Sequence, residues 1–503
     1  MLIIPFFSVL SAPARPPSPA SQPAALSFYG LNTYFTGLER HLNDGEDGID
    51  TLVQLGRQSG TQWGREEISW ANLQRHGKWW DRSTRDDHYD KNIRKMADAG
   101  YGIVGMILTT PEWARVADCD QRSEQYGGIA KDKYWCPPAD VQDYADFVSD
   151  VVERYDGDGV EDAPGSPRIA VWQLWNEPNH WETWLGSAEE YGNLLVAGYA
   201  AAKEADPTAI VATAGLFVFD GSHDDGVGHK DGLYFLDQVL QAVPEAWDSF
   251  DALAIHPYMP DKAPDSTDIL SKVTYWGRIK TTNDWMTART DQYGGDKRPI
   301  WISEVGWMTC TEEAQAALRS GETGRWERYR IPEKYVKSGA STAADGICKT
   351  EAEQASYMVR SHIIAHALGI QHLNYLQLED KFDTHLRDIW QATAIINTKA
   401  QNYEPKVAYG AYQTLTSLLT DTHYIGLGPQ HNYLYDPNLW PNPAARYHMR
   451  FQRNDGYAWS MCCGAAAAAK VSPSPWSRVS LRRKSSPAMA RILRLISRRR
   501  VCR

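Results

Sequence analysis

Two glutamates stand out by what precedes and follows them. Glu177 lies in Val171–Trp184, VWQLWNEPNHWETW, where the apolar and aromatic residues Val171, Trp172, Leu174 and Trp175 lead into Asn176-Glu177-Pro178. Glu304 lies in Arg298–Thr309, RPIWISEVGWMT, and closes the run Ile300, Trp301 and Ile302 after one intervening serine. Each short apolar run reads as a buried strand closed by a breaker, so each carboxylate sits at a strand's C-terminal end. Pro178 cannot extend a central ladder and biases Glu177 away from helix. A lone Asn-Glu-Pro is as readily an exposed strand terminus; the second carboxylate changes its meaning. Two carboxylates across a cleft suit glycosidic cleavage. One, protonated, donates to the leaving oxygen, and the other, ionised, attacks the anomeric carbon or activates water.

The elements that must position them repeat along the chain. The strands read Ser27–Thr33, Thr61–Glu66, Ile103–Leu108, Ile169–Trp175, Ile210–Leu216, Ala252–His256, Pro299–Ser303 and Gln371–Leu378. Between and after them come helix-like stretches: Ile49–Ser59, His88–Ala99, Val141–Tyr155, Glu189–Ala205, Leu233–Ala242, Asp268–Tyr293, Glu351–Leu368 and Ala408–Leu419. Eight alternations over residues 27–420 imply an α/β fold, a parallel (β/α)8 barrel whose strand ends converge on one face. Arg65, Glu177, His256, Tyr258 and Glu304 all fall at these ends. Glu177 and Glu304 would close strands four and seven, opposite each other across the mouth. A doubly wound open sheet would need a Gly-rich phosphate turn after an early strand, and the sequence has none.

The 503 residues include 20 Trp and 26 Tyr, an excess that suits stacking on the apolar faces of sugar rings as well as packing. The net charge of −11 argues against a nucleic-acid partner. Residues 1–26 form a short apolar run and a Pro/Ala/Ser linker like the end of a secretory signal, too short to span a membrane and lacking a basic start. The chain is therefore expected to be extracytoplasmic. The absence of any Asn-x-Ser/Thr acceptor favours a bacterial source. After Thr420, residues 421–461 read as a small β appendage. Residues 462–503 read as a disordered tail, basic because Lys470–Arg503 holds 11 Lys and Arg and no acid.

The paired strand-end motifs resemble the retaining glycoside hydrolases of clan A. Glu304-Val305-Gly306-Trp307 and the barrel with its β appendage look nearest to family 39, with family 5 close behind. The resemblance covers about residues 27–420. It implies Glu177 as acid/base, Glu304 as nucleophile, and Asn176 on the sugar 2-hydroxyl. It further implies that Arg65 holds Glu304 ionised and that His256 and Tyr258 form the strand-six His-x-Tyr, with Tyr258 donating to Glu304. One departure concerns strand eight, NYLQLEDKFD, which lacks the Trp that the clan places beneath the sugar; Tyr375 or Gln377 would line that floor instead.

Trp113, Trp181, Trp184 and Trp307 lie in strand-end loops, where each is a candidate sugar platform or a packing residue. Of seven cysteines, Cys119–Cys136 and Cys310–Cys348 are candidate disulfides within single loops. The Asp220–Asp231 loop lacks calcium-hand spacing and reads as a solvated loop. No metal or cofactor is expected. The chemistry expected is a metal-independent retaining β-glycosidase acting on β-linked poly- or oligosaccharides. A transglycosylase using the same site and a non-catalytic carbohydrate-binding barrel are the alternatives.

Overall fold

The computed structural model describes residues 27–125, 133–219, 230–259, 262–264, 275–309, 349–380, 392–427, 446–454 and 458–464. The leader, the Cys310–Cys348 pair, positions 220–229 of the Asp-rich loop and the tail beyond Gly464 lie outside them. Nine strands make one parallel sheet: β1 (Tyr29–Asn32), β2 (Trp63–Ser69), β3 (Gly102–Leu108), β4 (Val171–Leu174), β5 (Ile210–Ala212), β6 (Leu216–Phe217), β7 (Leu253–His256), β8 (Ile300–Ile302) and β9 (His372–Tyr375). Their order is β5-β4-β3-β2-β1-β9-β8-β7-β6. β5 and β6 are two halves of the expected fifth strand. The first half pairs with β4 and the second with β7, and bridges Ala212–Ala252 and Asn176–Gly215 carry the ladder across the break. Eight staves thus close a barrel.

Eight longer helices follow the staves: α1 (Leu38–Gln58), α2 (Lys91–Asp98), α3 (Val141–Arg154), α4 (Ala188–Ala205), α5 (Gly232–Ala242), α6 (Tyr275–Tyr293), α7 (Glu351–Ala367) and α8 (Val407–Leu419). α4 and α7 begin in capping boxes, Ser187 with Glu190 and Thr350 with Glu353, where each side chain satisfies the other's backbone N–H. α1 begins eleven residues before the expected Ile49 and passes through Gly45 at φ 66°, a bend that breaks the apolar period there.

Side chains alternate across each strand, and this alternation stacks the barrel interior in layers. Trp63, Val104, Val171, Ala254 and Trp301 pack together as an apolar lower layer. Two residues further along the same strands come Arg65, Met106, Gln173, His256 and Ser303. The layer under the C-terminal mouth of the barrel is therefore polar, and its groups have to satisfy one another. β2 runs on through Ser69, so Arg65 lies inside the strand rather than at its end. The Arg65-Glu66-Glu67 run looks like a terminus in sequence, but Glu66 and Ile68 are both fully buried and the ladder to β3 continues to Leu108.

The appendage is an antiparallel sheet, β10 (Thr422–Leu427), β11 (Arg446–Arg453) and β12 (Ala458–Gly464), in the order β10-β11-β12. β12 includes Cys462 and Cys463, paired with His448 and Tyr447, so ordered strand extends past residue 461. Phe451 packs edge-on against His366 of α7, which ties the sheet to the barrel. No helix among the described residues is long and apolar enough to cross a membrane.

Candidate active site

Arg65 is the hub. Fully buried, it donates from Nη1 to Glu304 Oε1 (2.7 Å) and to Asn32 Oδ1 (2.8 Å). Its Nε donates to Gln173 Oε1 (2.7 Å), and its Nη2 reaches Asn176 Oδ1 (2.9 Å) and Met106 Sδ (2.7 Å). A planar guanidinium has the fork geometry to bind this many acceptors at once; an ammonium does not. The Tyr258 hydroxyl donates to the other oxygen of Glu304 (2.8 Å). Burial works against ionisation of Glu304, but the His256 ring edge, the Arg65 guanidinium and the Tyr258 hydroxyl outweigh it and hold the carboxyl below its ordinary range.

Glu177 has different surroundings. His256 Nδ1 lies 2.6 Å from its Oε1 and His180 Nδ1 lies 3.8 Å from its Oε2. Its backbone takes φ 43°, and Trp175 two residues earlier takes φ 77°. Left-handed backbone at a non-glycine residue costs on the order of 1 kcal/mol or more and persists only where the surroundings enforce it. Here Trp175 N–H donates to the Ile107 carbonyl (2.8 Å) and Glu177 N–H to the Gly215 carbonyl (3.0 Å). The two carboxylates face each other across the mouth, with one oxygen of each and a His256 nitrogen mutually within 4.8 Å. These three atoms would also suit a cation on distance alone, but such an ion would compete with Arg65 and Tyr258 for Glu304 and with His256 for Glu177.

The structure therefore brings Arg65, Asn176, Glu177, His256, Tyr258 and Glu304 into one constellation. The tryptophans divide. Trp307 is fully buried and its indole donates to the Met259 and Lys262 carbonyls (2.9 and 2.7 Å), so its ring has no face open to the mouth. Trp184 is also buried, edge-on to Trp175. Trp113 is half-buried, donating to the Gln74 carbonyl (2.7 Å) and edge-on to Trp70. Trp181 is half-buried beside the Cys119–Cys136 disulfide, which closes the loop after β3. The end of strand eight also differs from expectation. Tyr375 packs toward α7, its hydroxyl accepting from the Trp307 N–H (3.4 Å) and its ring tilted against His362, while Leu376 meets the aromatic wall beside Glu304, packed with Tyr34, Tyr258 and Phe217.

Sequence reasoning missed Asn32, Tyr34, Gln173, His180 and Ser303. Gln173 and Ser303 carry a signal in hindsight: each is a polar residue inside an otherwise apolar strand. Tyr34 has none, because it reaches the site through a left-handed turn (φ 53°) that no motif announces. A shallow concavity of about 320 Å³ between Tyr199, Asp251 and Arg298 lies at the N-terminal ends of β7 and β8, away from the carboxylates.

No family model matches the chain, and no curated protein does. Solved structures do. A family 39 glycoside hydrolase from Bacteroides cellulosilyticus WH2 is 16% identical, with a TM-score of 0.54 over 84% of this chain and 68% of that one. A glucosidase from Croceicoccus marinus is 14% identical, with a TM-score of 0.52 over 87% and 75%. A monomeric β-xylosidase from Caulobacter crescentus CB15 is 15% identical, with a TM-score of 0.52 over 90% and 76%. The resemblance carried by Asn176-Glu177-Pro178 and Glu304 is thus matched by solved glycoside hydrolases at the level of fold, the (β/α)8 barrel.

Proposed function

We propose that this chain is a retaining β-glycosidase that cleaves β-linked poly- or oligosaccharides by double displacement. The observation that carries this is the carboxylate pair, with oxygens within 4.8 Å of each other. Retention uses carboxyl groups about 5–5.5 Å apart, whereas inversion needs about 6.5–9.5 Å to admit a water. Glu304, held ionised, attacks the anomeric carbon as Glu177 gives its proton to the departing glycosidic oxygen. The bond to the leaving sugar breaks and a glycosyl ester of Glu304 forms. Glu177, now a carboxylate, takes a proton from water, whose oxygen attacks the same carbon and frees Glu304. Asn176 spends its carbonyl on Arg65, which leaves its NH2 to donate to a sugar hydroxyl beside the bond. Leu376, Tyr34 and Phe217 offer the ring an apolar wall. The Cys119–Cys136 disulfide supports an extracytoplasmic location, since such bonds persist in oxidising compartments.

The test is product analysis by NMR on a panel of β-linked xylo-, gluco- and manno-oligosaccharides, with wild type, Glu177→Ala and Glu304→Ala. Newly released sugar in the β configuration, lost in both variants, is the expected result. First-formed α product would overturn retention. Near-normal turnover by Glu304→Ala would overturn its role. Binding of an oligosaccharide without any release would leave a carbohydrate-binding barrel.

A further inference from the structure

The polar layer under the two carboxylates is one hydrogen-bond chain with a single direction. Arg65 has only donors, so the Gln173 carbonyl must face it (2.7 Å). The Gln173 NH2 is thereby aimed at Ser303 Oγ (3.4 Å). Ser303 Oγ has two partners among the described residues, this NH2 and His256 Nε2 (2.8 Å). The first is donor-only, so the serine proton has one acceptor, His256 Nε2. The imidazole proton then sits on Nδ1, which donates to Glu177 Oε1 (2.6 Å). A doubly protonated ring would leave the Ser303 hydroxyl proton facing a second N–H. The Ser303 carbonyl is itself pinned by Asn32 Nδ2 (3.0 Å). Room for the ring is built in: a Cβ on Gly215 would lie 2.0 Å from His256 Nε2.

We propose that Gln173 and Ser303 are positioning residues that transmit the orientation of Arg65 to His256, fix its Nδ1–H tautomer and so reserve Oε2 of Glu177 for the catalytic proton. One arginine thereby sets both carboxylates, Glu304 by direct contact and Glu177 through three intermediaries. The catalytic consequence rests on the glycosidase reading; the tautomer does not. The other groups facing this pair are Glu304 Oε2, 3.8 Å from His256 Nδ1, the Tyr258 ring edge-on to His256, and His180, 3.8 Å from Glu177 Oε2. His180 is the neighbour of the oxygen that the chain leaves free.

Two measurements test this on the full chain. Nitrogen-15 NMR of histidine-labelled protein, with His256 assigned by its loss in His256→Asn, is expected to show a protonated Nδ1 and a bare Nε2 near pH 7. Ser303→Ala is expected to mix the tautomers, and Ser303→Thr, which keeps the hydroxyl, to restore them. An Nε2–H tautomer or an imidazolium in wild type would overturn the proposal. The second measurement compares kcat/KM on phenyl and 2,4-dinitrophenyl β-xylosides and β-glucosides. A phenoxide leaving group needs the Glu177 proton and a dinitrophenoxide does not. Ser303→Ala and Gln173→Leu are expected to lose roughly 10-fold more on the phenyl glycoside, with the basic limb of its pH profile moved up. Equal losses on both leaving groups, or no recovery in Ser303→Thr, would make the role merely structural and overturn it. If wild type cleaves none of these glycosides, the glycosidase reading is weakened while the NMR result still decides the chain.

Discussion

Arg65 does at one residue what most sites divide among several. It is fully buried, it neutralises Glu304 and it orients Asn32, Asn176 and Gln173. Arg65→Lys keeps a charge and loses the fork. The expected result is a fall in kcat on the order of 10²–10³, the cost of removing a preorganised electrostatic contact. The acid limb of the pH profile should also move. Glu304 is held below its ordinary range, so weakening its cation raises the pH at which it takes up a proton, and the limb shifts upward. A variant that loses activity with an unmoved acid limb would show that Arg65 orients without tuning. Arg65, Glu177 and Glu304 were legible because charged residues beside buried strand runs are conspicuous. Gln173 and Ser303 were not, because a neutral polar residue in a strand is equally at home on a solvated face.

The elements follow the sequence pattern in kind and order, and depart from it at their edges. Two consecutive glutamates, Glu66 and Glu67, look like the terminus of β2. The reason they are not is local: Glu66 accepts from the Thr33 hydroxyl, the Thr36 N–H (2.8 Å) and the Thr36 hydroxyl (2.9 Å). These contacts bind the turn after β1 to β2. His88 Nε2 meets the Thr36 carbonyl (2.7 Å) and Asn92 donates to the Phe35 carbonyl (2.8 Å), so the turn is gripped from both sides. What the grip holds is Tyr34, left-handed and packed against Tyr258 and Leu376 beside Glu304. Glu66→Met removes both carboxylate acceptors and leaves the Thr36 N–H without a partner. A buried donor left unpaired costs about 1–3 kcal/mol. The expected outcome is a lower melting temperature and a KM that rises by a larger factor than kcat falls, because the wall of the sugar site loosens while the carboxylates stay in place. A fall confined to kcat would place the effect on the carboxylates instead.

At the scale of the molecule, the scaffold and the site respond to acid differently. Glu304 is held ionised below the usual carboxylate range, so its proposed role as nucleophile is compatible with mild acid. The barrel is not. His372 lies in its lower layer, edge-on to Trp63 and Trp301, and His362 on α7 sits among Tyr29, Tyr375 and Tyr412. Burial pushes both imidazoles down to about 4, although a hydrogen bond to a backbone carbonyl, that of Ser27 or Met358, favours the charged form. Their ordinary value in the unfolded chain is about 6.5. Stability from these two groups is thus complete above about pH 6.5 and is lost as pH falls toward 4, because the unfolded chain binds protons that the folded barrel refuses. Near pH 5 the loss is roughly 2 kcal/mol for each histidine. His362→Phe keeps a ring among the three tyrosines and removes the titration. Urea unfolding of this variant and wild type, followed from about pH 7.5 to about pH 5, is expected to converge or cross, with the variant losing less. Parallel curves would mean that His362 is not a source of the acid sensitivity. If the variant does lose less, its barrel should stay folded to lower pH, while the acid limb of activity in the folded enzyme still follows protonation of Glu304 and stays where it is in wild type.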